Sequence, residues 1–314
     1  MSSIADALRR AQQERERLRG SATRPPAAVS APPTGPSLAS VVLRKAAPES
    51  KPDAPVHEAL AAPLTAALEQ QTSAPPPAVQ RQQLASDTII EDYQAKRRLD
   101  LPATIVVYHD RAGPVAQQFR DMRDRLMATN VTRDQPMLTF TSARRGEGKT
   151  TALLNLALAL CEVRSHRVLL VDGCLGDGHR GPLSHVLHLH AERGASEFFA
   201  QPAEASTFVR PTPWHNLFVL PAGATTTASA SAETLRLPSA RTGLRQLRTM
   251  FDYVLIDAPA IDRGPDAGLL GTMSDGLVLV TAIGRTSARQ VQTAVRRMAS
   301  LNVPVKHAIL THAP

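Results

Sequence analysis

One stretch near the middle of the chain constrains its fold more than any bulk property does: Thr139-Phe-Thr-Ser-Ala-Arg-Arg-Gly-Glu-Gly-Lys-Thr-Thr, residues 139–151. It follows the apolar run Met137-Leu-Thr-Phe-Thr and opens a helical pattern over Thr150–Cys161. That is the strand-loop-helix context a phosphate loop requires. Gly146 and Gly148 let the backbone turn tightly and aim its amides at phosphate oxygens, and a helix N-terminus adds a favourable field. The candidate nucleotide-binding residues are therefore Ala143, Arg144, Arg145, Gly146, Glu147, Gly148, Lys149, Thr150 and Thr151. Lys149 is expected to reach the β and γ phosphates and the Thr150 hydroxyl to ligate Mg²⁺. Ala143 stands where the general pattern G-x-x-x-x-G-K-[S/T] has its first glycine.

A Mg-nucleotide site also needs carboxylates, and two apolar strands end in one. Asp172 closes Arg167-Val-Leu-Leu-Val-Asp and Asp257 closes Asp252-Tyr-Val-Leu-Ile-Asp. Open α/β sheets bind ligands at the carboxyl ends of their strands. Lys149, Asp172 and Asp257 are thus the expected catalytic residues, and Thr150, Asp172 and Asp257 the expected Mg²⁺ ligands, with ATP and Mg²⁺ as cofactors. Arg144 and Arg145 either neutralise phosphate or simply face water. His179, His185, His188 and His190 lie near Cys174, but their spacing matches no closed zinc pattern, so a loop and an amphipathic helix are expected there.

Around this motif the chain alternates short continuous apolar runs with helical patterns. The runs are 137–141, 167–171, 217–220, 253–256, 276–280 and 307–310; the helices are expected over 150–161, 233–250 and 287–300. A further helix over 114–127 starts at Pro114 and places Val115, Phe119, Met122 and Leu126 on one face. Strands apolar throughout belong to a sheet covered on both faces. The expected fold class is α/β, a doubly wound, mostly parallel sheet of the P-loop NTPase kind.

The preceding third is different. Residues 21–80 contain 15 Ala and 12 Pro, and the first aromatic residue is Tyr93. Such a stretch buries little apolar surface. The expected organisation is a short charged helix over 1–20, a disordered Ala/Pro-rich linker over 21–86 and one domain over 87–314, whose edge is formed by Thr88–Arg98 and Thr104–Tyr108. Up to Asp92 there are ten basic and ten acidic residues, so the remaining 26 basic and 18 acidic residues carry the whole formal charge of +8. That excess suits an anionic partner without choosing one. Two cysteines make no disulfide scaffold, and neither a signal-like segment nor a long apolar span is present. A cytoplasmic protein is expected, with any membrane association peripheral or through a partner.

The phosphate loop, Val168-Leu-Leu-Val-Asp172, Asn216-Leu-Phe-Val-Leu-Pro-Ala-Gly223, Asp252-Tyr-Val-Leu-Ile-Asp-Ala-Pro259, Ser274-Asp-Gly-Leu-Val-Leu-Val-Thr281 and Gly284-Arg-Thr-Ser287 occur in order. In these the chain resembles, over about Ile89 to Leu310, the cytoplasmic ATP-binding domain of bacterial tyrosine autokinases and polysaccharide co-polymerases, relatives of the MinD/ParA-type ATPases. The resemblance implies work beside a transmembrane chain-length regulator in exopolysaccharide or capsule export. It also implies a homo-oligomer or dimer, with Gln117, Arg120 and Arg123 at the places of a Glu and two Arg that join neighbours in a ring. Nucleic acid is not an expected partner.

Several positions depart from the family. The second acid of its D-x-D pair is replaced by Cys174, with Asp177 as a substitute carboxylate. Gly176 stands where an Arg is common, Gln117 replaces the Glu, and Thr311 stands for the usual Asn. No Tyr follows Tyr253, so autophosphorylation of a C-terminal tyrosine cluster is not expected. The reading is a Mg-ATP-binding regulator of polysaccharide export with weak or no turnover. The alternatives are a tyrosine kinase acting in trans, a positioning ATPase of the MinD/ParA kind, and a scaffold that never binds nucleotide.

Overall fold

The computed structural model describes residues 42–45, 100–129, 135–177, 181–189, 191–224 and 228–312. The expected helix over 1–20 lies outside them, as do Thr88–Arg98 and all of the 21–86 stretch except Val42–Lys45.

An eight-stranded sheet organises the molecule. Its strands are β1 (Val42–Lys45), β2 (Met137–Ser142), β3 (Val168–Asp172), β4 (Arg210–Pro211), β5 (Leu217–Leu220), β6 (Tyr253–Asp257), β7 (Leu277–Ile283) and β8 (Val305–His312). They lie in the order β1-β8-β7-β2-β6-β3-β5-β4. The strands from β8 to β5 are parallel to their neighbours, and β1 and β4 add antiparallel edges. The phosphate-loop strand β2 is therefore central, flanked by β6 and β7.

Every residue of β2, β3, β5, β6 and β7 is buried. Alternate residues feed two separate cores, because side chains along a strand point to opposite faces. Met137, Leu169, Val171, Val254, Ile256, Leu277 and Leu279 enter one; Leu138, Phe140, Val168, Leu170, Leu255, Val278 and Val280 enter the other. The second core is closed by α1 (Val106–His109), α2 (Pro114–Thr129), α3 (Lys149–Cys161) and α4 (Pro182–Val186). The first is closed by α5 (Ala195–Ala200), α6 (Ala228–Arg236), α7 (Pro238–Met250), α8 (Asp266–Met273) and α9 (Ala288–Ser300). Every residue of α3 from Ala152 to Cys161 is buried, which makes it the inner helix, with α2 packed outside. The expected doubly wound sheet is the one observed.

Two local outcomes differ from the sequence reading, and a third gives an element to a run the sequence only places at the domain's edge. The single helix expected over 233–250 is two helices. Leu237 is extended (φ −63°, ψ 140°) and Pro238 begins α7, because a proline cannot donate within a helix and disfavours the helical conformation before it. The Thr104–Tyr108 run becomes the helical turn α1, whose Val107 N–H donates to the buried Asn155 side chain at 3.0 Å. Inside the Ala/Pro-rich stretch, Val42–Lys45 pairs with Lys306's neighbours on β8, residues His307–Leu310.

Candidate functional site

The loop after β2 is shaped by its glycines and braced by its one acid. Gly146 (φ 81°) and Gly148 (φ 82°) both take the left-handed conformation, which residues with a Cβ adopt at a cost. Gly148 is the N-cap of α3 and no side chain caps that helix, so the first amides of α3 are left to face the loop. The Glu147 carboxylate is buried (1% exposed). It accepts from the Arg144 N–H at 2.8 Å, from the Ala282 N–H at 3.4 Å and from the Thr286 hydroxyl. Thr311 donates to the Glu147 carbonyl at 3.0 Å, and the Arg285 guanidinium donates to the Gly146 carbonyl at 3.1 Å. The ends of β7 and β8 therefore fix the loop from one side. On the other, Thr141 donates to the Pro259 carbonyl after β6 at 2.7 Å.

Both predicted carboxylates arrive beside the loop. Register pairs Phe140 with Asp257 and Asp257 with Asp172, so the two acids end adjacent strands. Both are wholly buried. The Thr150 hydroxyl donates to Asp257 Oδ2 at 2.6 Å. Asp172 is held instead by the start of α4: its Oδ2 accepts from the Ser184 N–H at 3.1 Å and hydroxyl at 3.2 Å, and its Oδ1 from the Cys174 N–H at 3.3 Å. Gly181 lies so close that a Cβ there would stand 2.1 Å from Asp172 Oδ2. Burial, and then the neighbouring Asp257 charge, push the Asp172 carboxyl up to about 7 against the pull of the Ser184 and Cys174 donors. Cys174 is itself buried, with Sγ 3.8 Å from the Asp257 carbonyl oxygen. The Asp177 side chain lies outside the described residues.

The donor set fits a Mg-nucleotide. It offers glycine-turned amides, a lysine at the helix start, and a hydroxyl already in contact with a strand-terminal carboxylate. Lys149 and Thr151 are half-buried at the head of α3, while Arg144 and Arg145 are exposed on the rim. Arg144 also lines a cleft of about 460 Å³ that reaches Arg289 and Arg297 on α9. The sequence reading missed Ser184, Arg285 and Thr286 as working parts of the site. A signal existed for Ser184, two residues after the helix-starting Pro182, whereas Thr286 is brought to Glu147 only by the sheet. Of the four histidines, His179 and His190 lie outside the described residues; among the described residues no group of His, Cys, Asp or Glu is placed to hold a metal ion.

The residues matched to a subunit contact are occupied within the chain. Arg120 pairs side-on with Glu162 (2.7 and 2.8 Å) and donates to the Arg111 carbonyl at 2.7 Å. Arg123 reaches Glu162 at 2.9 Å and the Ala159 carbonyl at 3.1 Å. Gln117 donates to Asp121 at 3.0 Å. Together the two arginines clamp α2 onto the C-terminal end of α3, and the Arg120 hydrogen bond holds the Glu162 carboxyl below its usual range.

A glycine-turned phosphate loop on the central strand of a parallel sheet, with strand-terminal acids at its flank, makes this a P-loop ATPase fold. The chain belongs to the cellulose biosynthesis protein BcsQ family, whose profile matches residues 135–303. It is also similar to the tyrosine-protein kinase CpsD of Streptococcus pneumoniae serotype 4, 29% identical over 163 residues, 52% of this chain and 69% of that one. The succinoglycan biosynthesis transport protein ExoP of Rhizobium meliloti is 28% identical over 228 residues, 71% of this chain and 28% of ExoP. Among solved structures, the kinase domain of Escherichia coli tyrosine kinase ETK superposes with a TM-score of 0.62 at 22% identity, covering 69% of this chain and 82% of that domain; this likeness concerns the fold. Among the described residues no helix is long and apolar enough to cross a membrane.

Proposed function

We propose that the chain binds Mg-ATP at residues 143–151 and serves as a nucleotide-gated component of exopolysaccharide biosynthesis and export. In this reading it is cytoplasmic and works at the inner membrane with a transmembrane chain-length regulator. The observation that carries the reading is the 2.6 Å contact from Thr150 to Asp257 in a phosphate loop of the BcsQ family. Membership of that family favours cellulose as the polysaccharide. Bound Mg-ATP would supply a transferable γ-phosphoryl group. Lys149 would neutralise charge growing on it, Thr150 and Asp257 would hold the metal, and Asp172 would orient its waters. With Cys174 in place of a second acid, turnover is slow or absent.

A second reading, a tyrosine kinase acting in trans, is favoured by the similarity to CpsD. One set of measurements separates them: ATP binding, ATP hydrolysis and phosphotyrosine formation on co-purified membrane partner, with Lys149→Ala alongside. The regulatory reading expects Mg-dependent binding, little hydrolysis and no phosphotyrosine. Phosphotyrosine on the partner would move the assignment to the kinase, and wild-type protein that binds no nucleotide would remove both. Gln117, Arg120 and Arg123 are proposed as the contact to a second copy, which requires their internal partners to be exchanged.

A further inference from the structure

A second cleft opens at the far end of α3, thirteen residues or about 20 Å along the helix from the phosphate loop. Its volume is about 500 Å³, and Tyr108, Arg111, Glu162, Arg164, Trp214 and His215 are among its walls. That volume suits a small ligand. Trp214 and Tyr108 meet edge to face with centroids 5.9 Å apart, which gives the cleft an aromatic side.

Its charge is what distinguishes it. The one acid lining it, Glu162, is already neutralised by Arg120 and Arg123. Among the described residues nothing accepts from the guanidinium groups of Arg111 and Arg164, both exposed, or from the Trp214 indole N–H. At the carbonyl end of α3, which would repel an anion, Asn216 donates to the Cys161 carbonyl at 3.1 Å, and beyond the helix to those of Val163 and His166 at 3.3 and 2.8 Å. Two uncommitted guanidiniums recognise phosphate, and an aromatic side recognises a planar ring.

We propose that this cleft is a second ligand site, separate from the phosphate loop, for a nucleoside monophosphate. Its phosphate is taken by Arg111 and Arg164, and its base lies beside Trp214 and Tyr108. The site gives the chain a place to sense a nucleotide that the phosphate loop does not read.

Trp214 is the only tryptophan in the chain, so its fluorescence reports the cleft directly. The titration uses full-length Lys149→Ala protein, which disables the first site, with AMP, GMP and UMP as probes and inorganic phosphate and adenosine as controls. At least one monophosphate should change the emission saturably with a midpoint below about 1 mM, while phosphate and adenosine do not. Arg111→Ala and Arg164→Ala should each weaken binding about tenfold, at unchanged melting temperature. The proposal is overturned by a response absent for all three probes, by one that survives in the double arginine variant, or by one equally produced by inorganic phosphate. An emission change that follows protein concentration instead of nucleotide would assign the cleft to a second copy and overturn it too. A response seen in wild type but lost in Lys149→Ala would place the ligand in the phosphate loop, also against it.

Discussion

The ends of β3 and β6 look alike in sequence, an apolar run closed by an aspartate, and they lie side by side in the sheet. Their surroundings are nonetheless unlike. Asp257 faces the phosphate-loop helix and takes the Thr150 hydroxyl. Asp172 is drawn to the start of α4, where Ser184 donates both its N–H and its hydroxyl. Two buried carboxylates this close cannot both carry charge cheaply without a cation. At Asp172 the Ser184 and Cys174 donors offset only part of that cost, so its carboxyl holds its proton up to about pH 7, while Asp257 keeps the Thr150 hydroxyl, a group expected to bind metal. Two residues beyond Asp172 stands the buried thiol of Cys174 and not an acid, which keeps down the charge concentrated there.

Placing an acid there should break the arrangement most severely. Cys174→Asp would add a third carboxylate at a position 1% exposed and beside the Asp257 carbonyl. An uncompensated buried charge costs about 3–5 kcal/mol. The variant should unfold at much lower denaturant than wild type in EDTA and recover most of the loss in millimolar Mg²⁺ with ATP. Equal denaturation midpoints with and without Mg-ATP would show that this position does not face the metal.

Asp257→Asn separates the two acids from the other side. Calorimetry should show Mg-ATP affinity falling roughly a hundredfold, in line with the loss of a group close to a metal, while affinity in EDTA changes little. A comparable loss for Asp172→Asn would mean that both acids bind the metal in the same way.

The main expected effect of Asp172→Asn is on pH dependence. Its carboxyl is raised from 3.8 to about 7 in the fold, so the folded chain holds this proton more tightly than the unfolded one. Stability from this group is complete below about pH 4 and is lost as pH rises to about 7. The amide cannot ionise. In EDTA, Asp172→Asn should come closest to wild type below about pH 4 and exceed it at pH 8 by at least about 1 kcal/mol, or roughly 2–4 °C in melting temperature for a domain of this size. A gap of the same size at both pH values would rule out ionisation as its cause.

What could be read beforehand followed the range of the interactions. The phosphate loop was legible because its demands are local: left-handed glycines, Lys149 and Thr150 in series, and a buried strand before them. Positions of Asp172 and Asp257 were legible for the same reason, as ends of apolar runs. Their partners were not, since Ser184 reaches Asp172 only because Gly181 leaves room for the carboxylate. The break between α6 and α7 was legible in Pro238 and was passed over because the helical pattern continues through it. Glu147 was assigned to the loop, yet its contacts with Ala282 and Thr286 depend on β7 lying next to β2.

The clamp at the opposite end of α3 gives the smallest effect and the sharpest contrast with the buried acids. Glu162 is partly exposed, with 33% of its side chain accessible, and is charged because Arg120 and Arg123 face it. Its carboxyl is lowered by the Arg120 hydrogen bond, so its contribution is present above the ordinary carboxylate range and lost as pH falls through its folded value, opposite in sign to Asp172. Glu162→Gln should cost at most about 1 kcal/mol, since solvent screens such pairs, and the difference from wild type should shrink in acid. The same change frees Arg120 and Arg123 from their internal partner. If those arginines are the contact to a second copy, Glu162→Gln should shift sedimentation toward larger species at equal protein concentration, and the added Arg120→Ala should reverse it. A variant that loses the expected stability and stays at the wild-type sedimentation coefficient would confine the arginines to holding α2 on α3.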